Sequence, residues 1–174
     1  MVMNMKKIHI IGSVGSGKTT LARTLSTQLN IPHFELDNVV WIRQDNGDIR
    51  RTPQQRDAYL KNIIHSEAWI IEGAHDGEWI LPSMESADLI IFLDTNYKKR
   101  TFRIIKRFLL QKLKLEKANY KPTLKMFCNM FEWNAQFEKQ SKSKIRKRLE
   151  QYENKLLVLK DNLEINLAEV LQNK

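Results

Sequence analysis

Eight residues near the start of the chain, Gly12-Ser13-Val14-Gly15-Ser16-Gly17-Lys18-Thr19, have the spacing G-x-x-x-x-G-K-[ST]. Glycines at those positions let a backbone curl until successive N–H groups point inward, an arrangement that suits the oxygens of a phosphate chain. A lysine beside them brings charge to the β- and γ-phosphates, and the next hydroxyl can ligate Mg²⁺. The candidate cradle is Gly12, Ser13, Gly15, Ser16, Gly17, Lys18, Thr19 and Thr20, with Lys18 also acting on the transferring group and Thr19 on the metal. Two glycines at a fixed spacing arise by chance at roughly one position in 200, and the required Lys and Ser/Thr lower that further. The chain is expected to bind a nucleoside triphosphate, ATP by default, with Mg²⁺.

Such a loop works only between a strand and a helix. Lys7-Ile8-His9-Ile10-Ile11 before it is a β-branched run, and Leu21, Ala22, Leu25 and Leu29 after it fall at helical spacing. Residues 31–36, 69–71, 88–93 and 155–159 read as four more short buried strands. Thr52-Pro53-Gln54-Gln55 carries a helix start (Thr as N-cap, Pro at N1, Gln at N3), and that helix is predicted to run to about His65. Residues 42–52 are polar, with a turn signal at Asn46-Gly47-Asp48.

Near-continuous apolar strands alternating with helices predict a parallel sheet covered on both faces. The expected fold class is α/β, a three-layer arrangement of five parallel strands flanked by helices. Ligands in such sheets bind beyond the carboxyl ends of the strands. Three strands are followed at once by an acid (Asp37, Glu72, Asp94), so these carboxylates are expected to line the edge that carries the glycine loop. Residues 97–152 form a long, basic, mostly helical insertion between the fourth and fifth strands, broken near Asn119-Tyr120-Lys121-Pro122. Its size and place suggest a lid.

At 174 residues the chain suits one well-buried core, read as a single domain over 1–174. The net charge of +9 is concentrated over residues 98–125 and 139–148. A basic half of this kind fits nucleic acid, an acidic membrane surface or a polyanionic small substrate. Phe102, Phe108, Tyr120, Phe127, Phe131 and Trp133 recur among the basic residues at helix-like intervals, which fits core packing better than a base-stacking platform. The single Cys128 excludes an internal disulfide framework, and within Met126-Phe127-Cys128 it reads as a small buried thiol. No apolar run approaches the ~18 residues of a membrane span. A cytoplasmic protein without a membrane partner is expected.

The guanine-reading N-K-x-D and the D-x-x-G switch of GTPases are absent from their places, as is the Asp-Glu strand end of ring ATPases. What is present resembles the adenylate-kinase-like nucleoside and nucleotide kinases: an early glycine loop, Trp69-Ile70-Ile71-Glu72-Gly73, and Leu93-Asp94-Thr95-Asn96 followed by Arg103 and Arg107. Within that group the chain is similar to the bacterial topology modulation protein family. Leu36-Asp37 followed by Trp41, residues 69–73, residues 87–94 and Phe131-Glu132-Trp133-Asn134 carry this likeness. The resemblance implies a P-loop NTPase fold and ATP-dependent phosphoryl transfer to a small acceptor such as a nucleoside or nucleotide. It also implies two lid arginines, Arg103 and Arg107, and an acceptor site near Trp41 and Arg51. The chain departs from the pattern at Glu72, where Asp is usual, and at Ala74-His75-Asp76. It departs again in the second lid segment, which has Lys142 and Lys144 with Arg146 and Arg148 nearby.

Phosphoryl transfer is mostly positioning and charge neutralisation. Lys18, Asp37, Arg103 and Arg107 are the candidate catalytic set. Asp37 is read as orienter or general base for the acceptor hydroxyl, and the arginines at i and i+4 as a clamp on the transferring group. Glu72 is read as supporting Mg²⁺ through water, Trp41 as stacking on the acceptor and Arg51 as holding an acceptor phosphate. Asp94 is read as a strand cap, and His75 is left outside the set. A nucleotide-dependent regulatory ATPase associated with nucleic acid is the alternative, and a nucleotide-binding protein with vestigial chemistry a third reading.

Overall fold

The computed structural model describes residues 5–113, 115 and 123–162. Strand β1 (Lys7–Gly12) is the middle of a five-stranded parallel sheet ordered β2 (His33–Glu35), β5 (Trp69–Gly73), β1, β6 (Leu89–Leu93), β7 (Leu156–Leu159). The register pairs Ile10 with Glu72 and Gly12 with Leu93, which brings the carboxyl ends of the three central strands level. Ile8, Ile10, Ile11, Ile70, Ile71, Ile90 and Ile91 are buried, as expected of strands covered on both faces. Helix α1 (Lys18–Leu29) covers one face through Leu21, Ala22 and Leu25. The other face packs on α2 (Leu36–Val40), α3 (Pro53–Ile64), α4 (Leu81–Ser86) and α7 (Lys142–Leu149). The expected three-layer α/β fold is present.

Helix α3 begins as the sequence indicates. The Gln55 N–H donates to Thr52 Oγ1 at 3.2 Å, and the Thr52 N–H donates back to Gln55 Oε1 at 3.0 Å. Two donors that a helix start leaves orphaned are thereby satisfied, with Pro53 at a position that needs no N–H. The segment before α3 departs from expectation. The second strand stops at Glu35, and the chain turns directly into α2, so Asp37 sits in the first turn of a helix. A two-stranded antiparallel hairpin follows, β3 (Trp41–Ile42) on β4 (Ile49–Arg50), closed near Gly47 at φ 121°. Strands of two residues are too short for any alternation to betray them.

The described residues between β6 and β7 are mostly helical: α5 (Tyr97–Lys112), α6 (Leu124–Gln136), a π-helical turn (Phe137–Ser141), α7 and a 3-10 stretch (Glu150–Lys155). The expected break at Asn119-Tyr120-Lys121-Pro122 lies outside the described residues. Arg100, fully buried on α5, pins these helices together. Its Nε donates to Asn134 Oδ1 at 2.7 Å, its Nη2 to Glu138 Oε2 at 2.6 Å and its Nη1 to the Thr95 carbonyl at 3.1 Å. Phe108 stacks on Phe127 with centroids 4.2 Å apart, and Phe127 meets Phe131 edge-on at 4.8 Å. Packing does not extend to every expected aromatic: Phe102 and Trp133 are exposed, and so is Cys128. These three lie on helix faces that no other described residue covers. No helix among the described residues is long and apolar enough to cross a membrane.

One polar group is buried at the centre of the sheet. His9 on β1 has no exposed surface, and its Nδ1 lies 3.1 Å from Ser83 Oγ, whose hydroxyl donates to the Ile80 carbonyl at 2.6 Å. Burial pushes the imidazole pKa down to about 3. A base held neutral by folding costs stability as pH falls below its ordinary value of about 6.5, because the unfolded chain takes up the proton first. Stability is expected to drop by about 2 kcal/mol between pH 7 and pH 5 from this group alone. His9→Leu keeps the Ser83–Ile80 bond and should flatten that drop in urea titrations at the two pH values. An equal drop in the variant contradicts the assignment.

Candidate active site

The chain leaves β1 at Gly12 in mid-sheet and re-enters regular structure at Lys18, the first residue of α1. Gly15 and Gly17 turn it with φ of 73° and 97°, values that L side chains rarely adopt. Space forbids a side chain as firmly as conformation does. A Cβ on Gly15 would meet the Arg100 carbonyl at 2.8 Å, and one on Gly17 would meet the Asn162 side chain at 2.7 Å. The loop is thus wedged between α5 and the segment after β7. Gly17 caps α1 without any side-chain hydrogen bond. The hydroxyls of Ser13 and Ser16 are buried and find no partner among the described residues. A helix N-terminus lacking a side-chain cap, two orphaned hydroxyls and a left-handed turn suit a bound polyanion. Residues Gly12 to Thr20 therefore fit a triphosphate.

Lys18 is buried, its Nζ donating to the Ser13 carbonyl at 2.9 Å. Burial pushes its pKa down, while the carboxylates of Glu72, Asp37 and Glu35 pull it back up and Arg107 adds to the lowering. Four charged groups from four other elements thus act on this one ammonium. Thr19 Oγ1 donates to Glu72 Oε1 at 2.6 Å, so the two candidate metal residues are in direct contact. Glu72 is buried at the end of β5, and its pKa is pushed up by that burial, against the pull of Lys18 and the Thr19 hydrogen bond. A buried carboxylate in that state is best served by a nearby cation. Among the described residues no three His, Cys, Asp or Glu side chains group to hold a metal alone. Thr19 and Glu72 would therefore hold a Mg²⁺ that takes other oxygens from phosphates and water, the usual habit of that ion.

Asp37 stands in the first turn of α2 with its side chain 65% exposed, near enough to Lys18 to act on it electrostatically. His75, two residues past β5, places Nε2 3.0 Å from Asp37 Oδ1. Trp41 is half-buried in the hairpin with the Arg50 guanidinium 5.7 Å from its ring centre. The Nη1 of Arg51 donates to the carbonyls of Asn38 at 2.7 Å, Val39 at 3.2 Å and Trp41 at 3.2 Å. Its guanidinium also lies over Tyr59. Arg51 is thus engaged in tying the end of α2 to the hairpin.

Arg103 and Arg107 lie on one face of α5 but have different partners. Arg103 donates from Nη1 to the Ser16 carbonyl at 2.9 Å, and from Nη2 to Asp161 Oδ1 at 2.8 Å and Asn162 Oδ1 at 2.9 Å. It braces the back of the glycine loop. Arg107 donates to Met130 Sδ at 3.4 Å and still acts electrostatically on Lys18.

Asp94, at the end of β6, does more than cap its strand. Lys142 (2.7 Å), Arg146 (2.5 Å) and Lys160 (2.8 Å) converge on its carboxylate, which is 3% exposed. Burial alone would raise its pKa, but those hydrogen bonds outweigh it and hold the carboxyl down to about 2. The spacing of 142 and 146 puts both on one helix face, a signal legible in the sequence; that Asp94 is their target is a tertiary fact. Of the three edge carboxylates, Glu72 and Asp37 follow strands on one side of β1 and Asp94 a strand on the other.

No family model matches the chain. The uncharacterized protein YqaC of Bacillus subtilis (strain 168) is 35% identical over 88 residues, 51% of this chain and 48% of that protein. The chain thus spans about half the length of that curated relative. A shikimate kinase of Buchnera aphidicola (subspecies Schizaphis graminum) is 28% identical over 122 residues, 61% of this chain and 69% of the kinase. The crystal structure of a sugar kinase from Janibacter superposes with a TM-score of 0.50 at 16% identity, covering 97% of this chain and 95% of that one. The chain shares the P-loop α/β fold of that structure.

The Asp94 cluster has a direct test. Removing the buried carboxylate takes away the anion that three cations share, and because Arg146 and Lys160 stay in contact with water the cost is about 2 kcal/mol. Asp94→Asn should lower unfolding stability by about that amount near pH 7 in urea. The difference from wild type should shrink as pH falls from about 4 towards 2, where wild-type Asp94 itself takes up a proton and loses the same stabilisation. An unchanged urea midpoint at pH 7 contradicts the reading.

Proposed function

We propose that this chain is an ATP- and Mg²⁺-dependent kinase that phosphorylates a hydroxyl of a small molecule. The observation that carries the reading is the grouping of Lys18, Thr19 and Glu72 at the glycine loop with a second, exposed carboxylate, Asp37, whose charge acts on Lys18. In the proposed reaction the acceptor oxygen bonds to the γ-phosphorus, the bond from that phosphorus to the β–γ bridging oxygen breaks, and ADP leaves. Asp37 takes the acceptor's proton. Lys18 and the loop N–H groups hold the phosphates, and Arg107 adds positive charge from the lid. Thr19 and Glu72 would hold a Mg²⁺, which would supply neutralisation of the phosphate charge.

The shikimate kinase and sugar kinase that the chain is similar to support a polyhydroxylated acceptor over a nucleotide. The finer resemblance to the topology modulation family rests on the segments around Asp37, Glu72 and Asp94 and belongs to the same proposal. Two observations weigh against a nucleic-acid partner. Part of the insertion's basic charge is engaged within the fold, since Arg100, Arg103, Lys142, Arg146 and Arg148 all have partners there. The exposed Phe102 and Trp133 come from two different helices rather than one stacking row.

The test is ADP release from Mg²⁺-ATP against shikimate, gluconate, nucleosides, nucleoside monophosphates and short DNA and RNA. Stimulation by one small hydroxyl compound, lost by at least about a hundredfold in Lys18→Ala with an unchanged melting temperature, is the expected result. Stimulation by nucleic acid alone overturns the proposal, as does wild-type turnover in Lys18→Ala.

A further inference from the structure

Ala74-His75-Asp76, after β5, is one of the places where the chain departs from the pattern it resembles, and it is also where a side chain touches the candidate base. His75 Nε2 lies 3.0 Å from Asp37 Oδ1, joining two elements 38 residues apart in sequence. Asp37 comes from the first turn of a short helix, with most of its carboxylate in solvent. Left alone, such a side chain would turn about its χ angles and present either oxygen at random. An exposed ion pair contributes at most about 1 kcal/mol to stability, so holding the fold together is not what this contact is good for. Orientation is.

His75 is itself held. Its ring meets Trp79 edge-on with centroids 5.2 Å apart, and the Arg56 guanidinium of α3 lies 4.5 Å from the centre of Trp79. The next two residues are tied to the lid, since Arg148 on α7 donates from Nη1 to the carbonyls of Asp76 and Gly77. The imidazole therefore stands on a braced loop, and only its Nε2 edge is directed at the carboxylate.

We propose that His75 is the positioning residue for Asp37, its Nε2–H fixing Oδ1 so that Oδ2 is presented to the acceptor hydroxyl. The proposal rests on the kinase reading above. The charged groups acting on Asp37 are Lys18 of α1, Arg43 beyond the hairpin's first strand, Glu72 of β5 and His75 itself. The hydrogen bond from His75 is foremost in holding the Asp37 carboxyl below the ordinary carboxylate range; burial opposes it, while Lys18 and Arg43 assist. A carboxylate so held is ionised near neutral pH. Its reactivity as a base then depends on where it points, and that is the property His75 controls.

The experiment compares His75→Leu, which removes the donor, with His75→Gln, which keeps one, each alone and on an Asp37→Asn background. Two readouts are taken. One is the carbon-13 NMR titration of the Asp37 carboxyl in the ligand-free protein. Here His75→Leu should raise the midpoint, and His75→Gln should leave it nearer wild type. The other is turnover with Mg²⁺-ATP and the small acceptor that stimulates the wild-type protein. His75→Leu should lower kcat about tenfold to a hundredfold with the KM for ATP unchanged. His75→Gln should recover most of the loss, and His75→Leu should cost nothing further once Asp37 is Asn. Full turnover in His75→Leu, or equal loss in the Leu and Gln variants, overturns the proposal. If no acceptor stimulates the wild type, the kinase reading fails, while the carboxyl titration still decides whether His75 holds Asp37.

Discussion

Backbone N–H groups at the start of a helix have no partner within the helix, and this constraint organises the candidate site. The first turn of α1 opens on a left-handed glycine that offers no side chain to cap it. It opens there because β1 is the central strand, so the loop emerges with Glu72 paired on one side and Leu93 on the other. Wedging by the Arg100 carbonyl and Asn162 keeps the loop curled without a ligand, and Arg103 holds the Ser16 carbonyl from behind. The positive end of the helix is therefore set before any phosphate arrives, the condition under which fixed dipoles do most for a charged reaction.

Around that fixed point the charges divide by side. Towards β5 and β2 lie carboxylates: Glu72 buried against Thr19, and Asp37 open to solvent. Towards β7 lies a set of cations from α5, α7 and the segment after β7, neutralised internally by Asp94 and Asp161. The basic insertion therefore spends part of its charge on folding itself over the sheet edge. A net charge of +9 pointed to polyanions in general. Of the insertion's basic side chains Arg103 touches the glycine loop directly and Arg107 acts on Lys18 from the same helix.

The three central strands were legible because a strand buried on both faces must be a nearly unbroken apolar run, whereas the edge strands β2 and β7 are only partly buried. The start of α3 was legible because a capping box is written in four adjacent residues. The hairpin at Trp41 and Arg50 was not, since two-residue strands carry no period, and the short α2 was hidden behind a strand-like Phe34-Glu35-Leu36. The exposed Cys128, Phe102 and Trp133 show the limit of reading apolar spacing as burial when a helix packs on one face alone. At the site, the glycine loop, Lys18, Thr19 and Glu72 could be found from local spacing. The links from Asp37 to His75 and from Asp94 to Lys142, Arg146 and Lys160 span 38 to 66 residues and exist only once the chain is folded.

The fate of the γ-phosphoryl group bears most directly on whether this edge is built for transfer. Phosphorus-31 NMR of the protein with Mg²⁺-ATP and a stimulating hydroxyl compound separates phosphoester from inorganic phosphate in one spectrum. A new phosphoester resonance rising in step with ADP, and abolished by Asp37→Asn, is the expected result. Release of inorganic phosphate alone, or ester formation that survives Asp37→Asn undiminished, contradicts the assignment of Asp37 as the base beside a phosphate-holding loop.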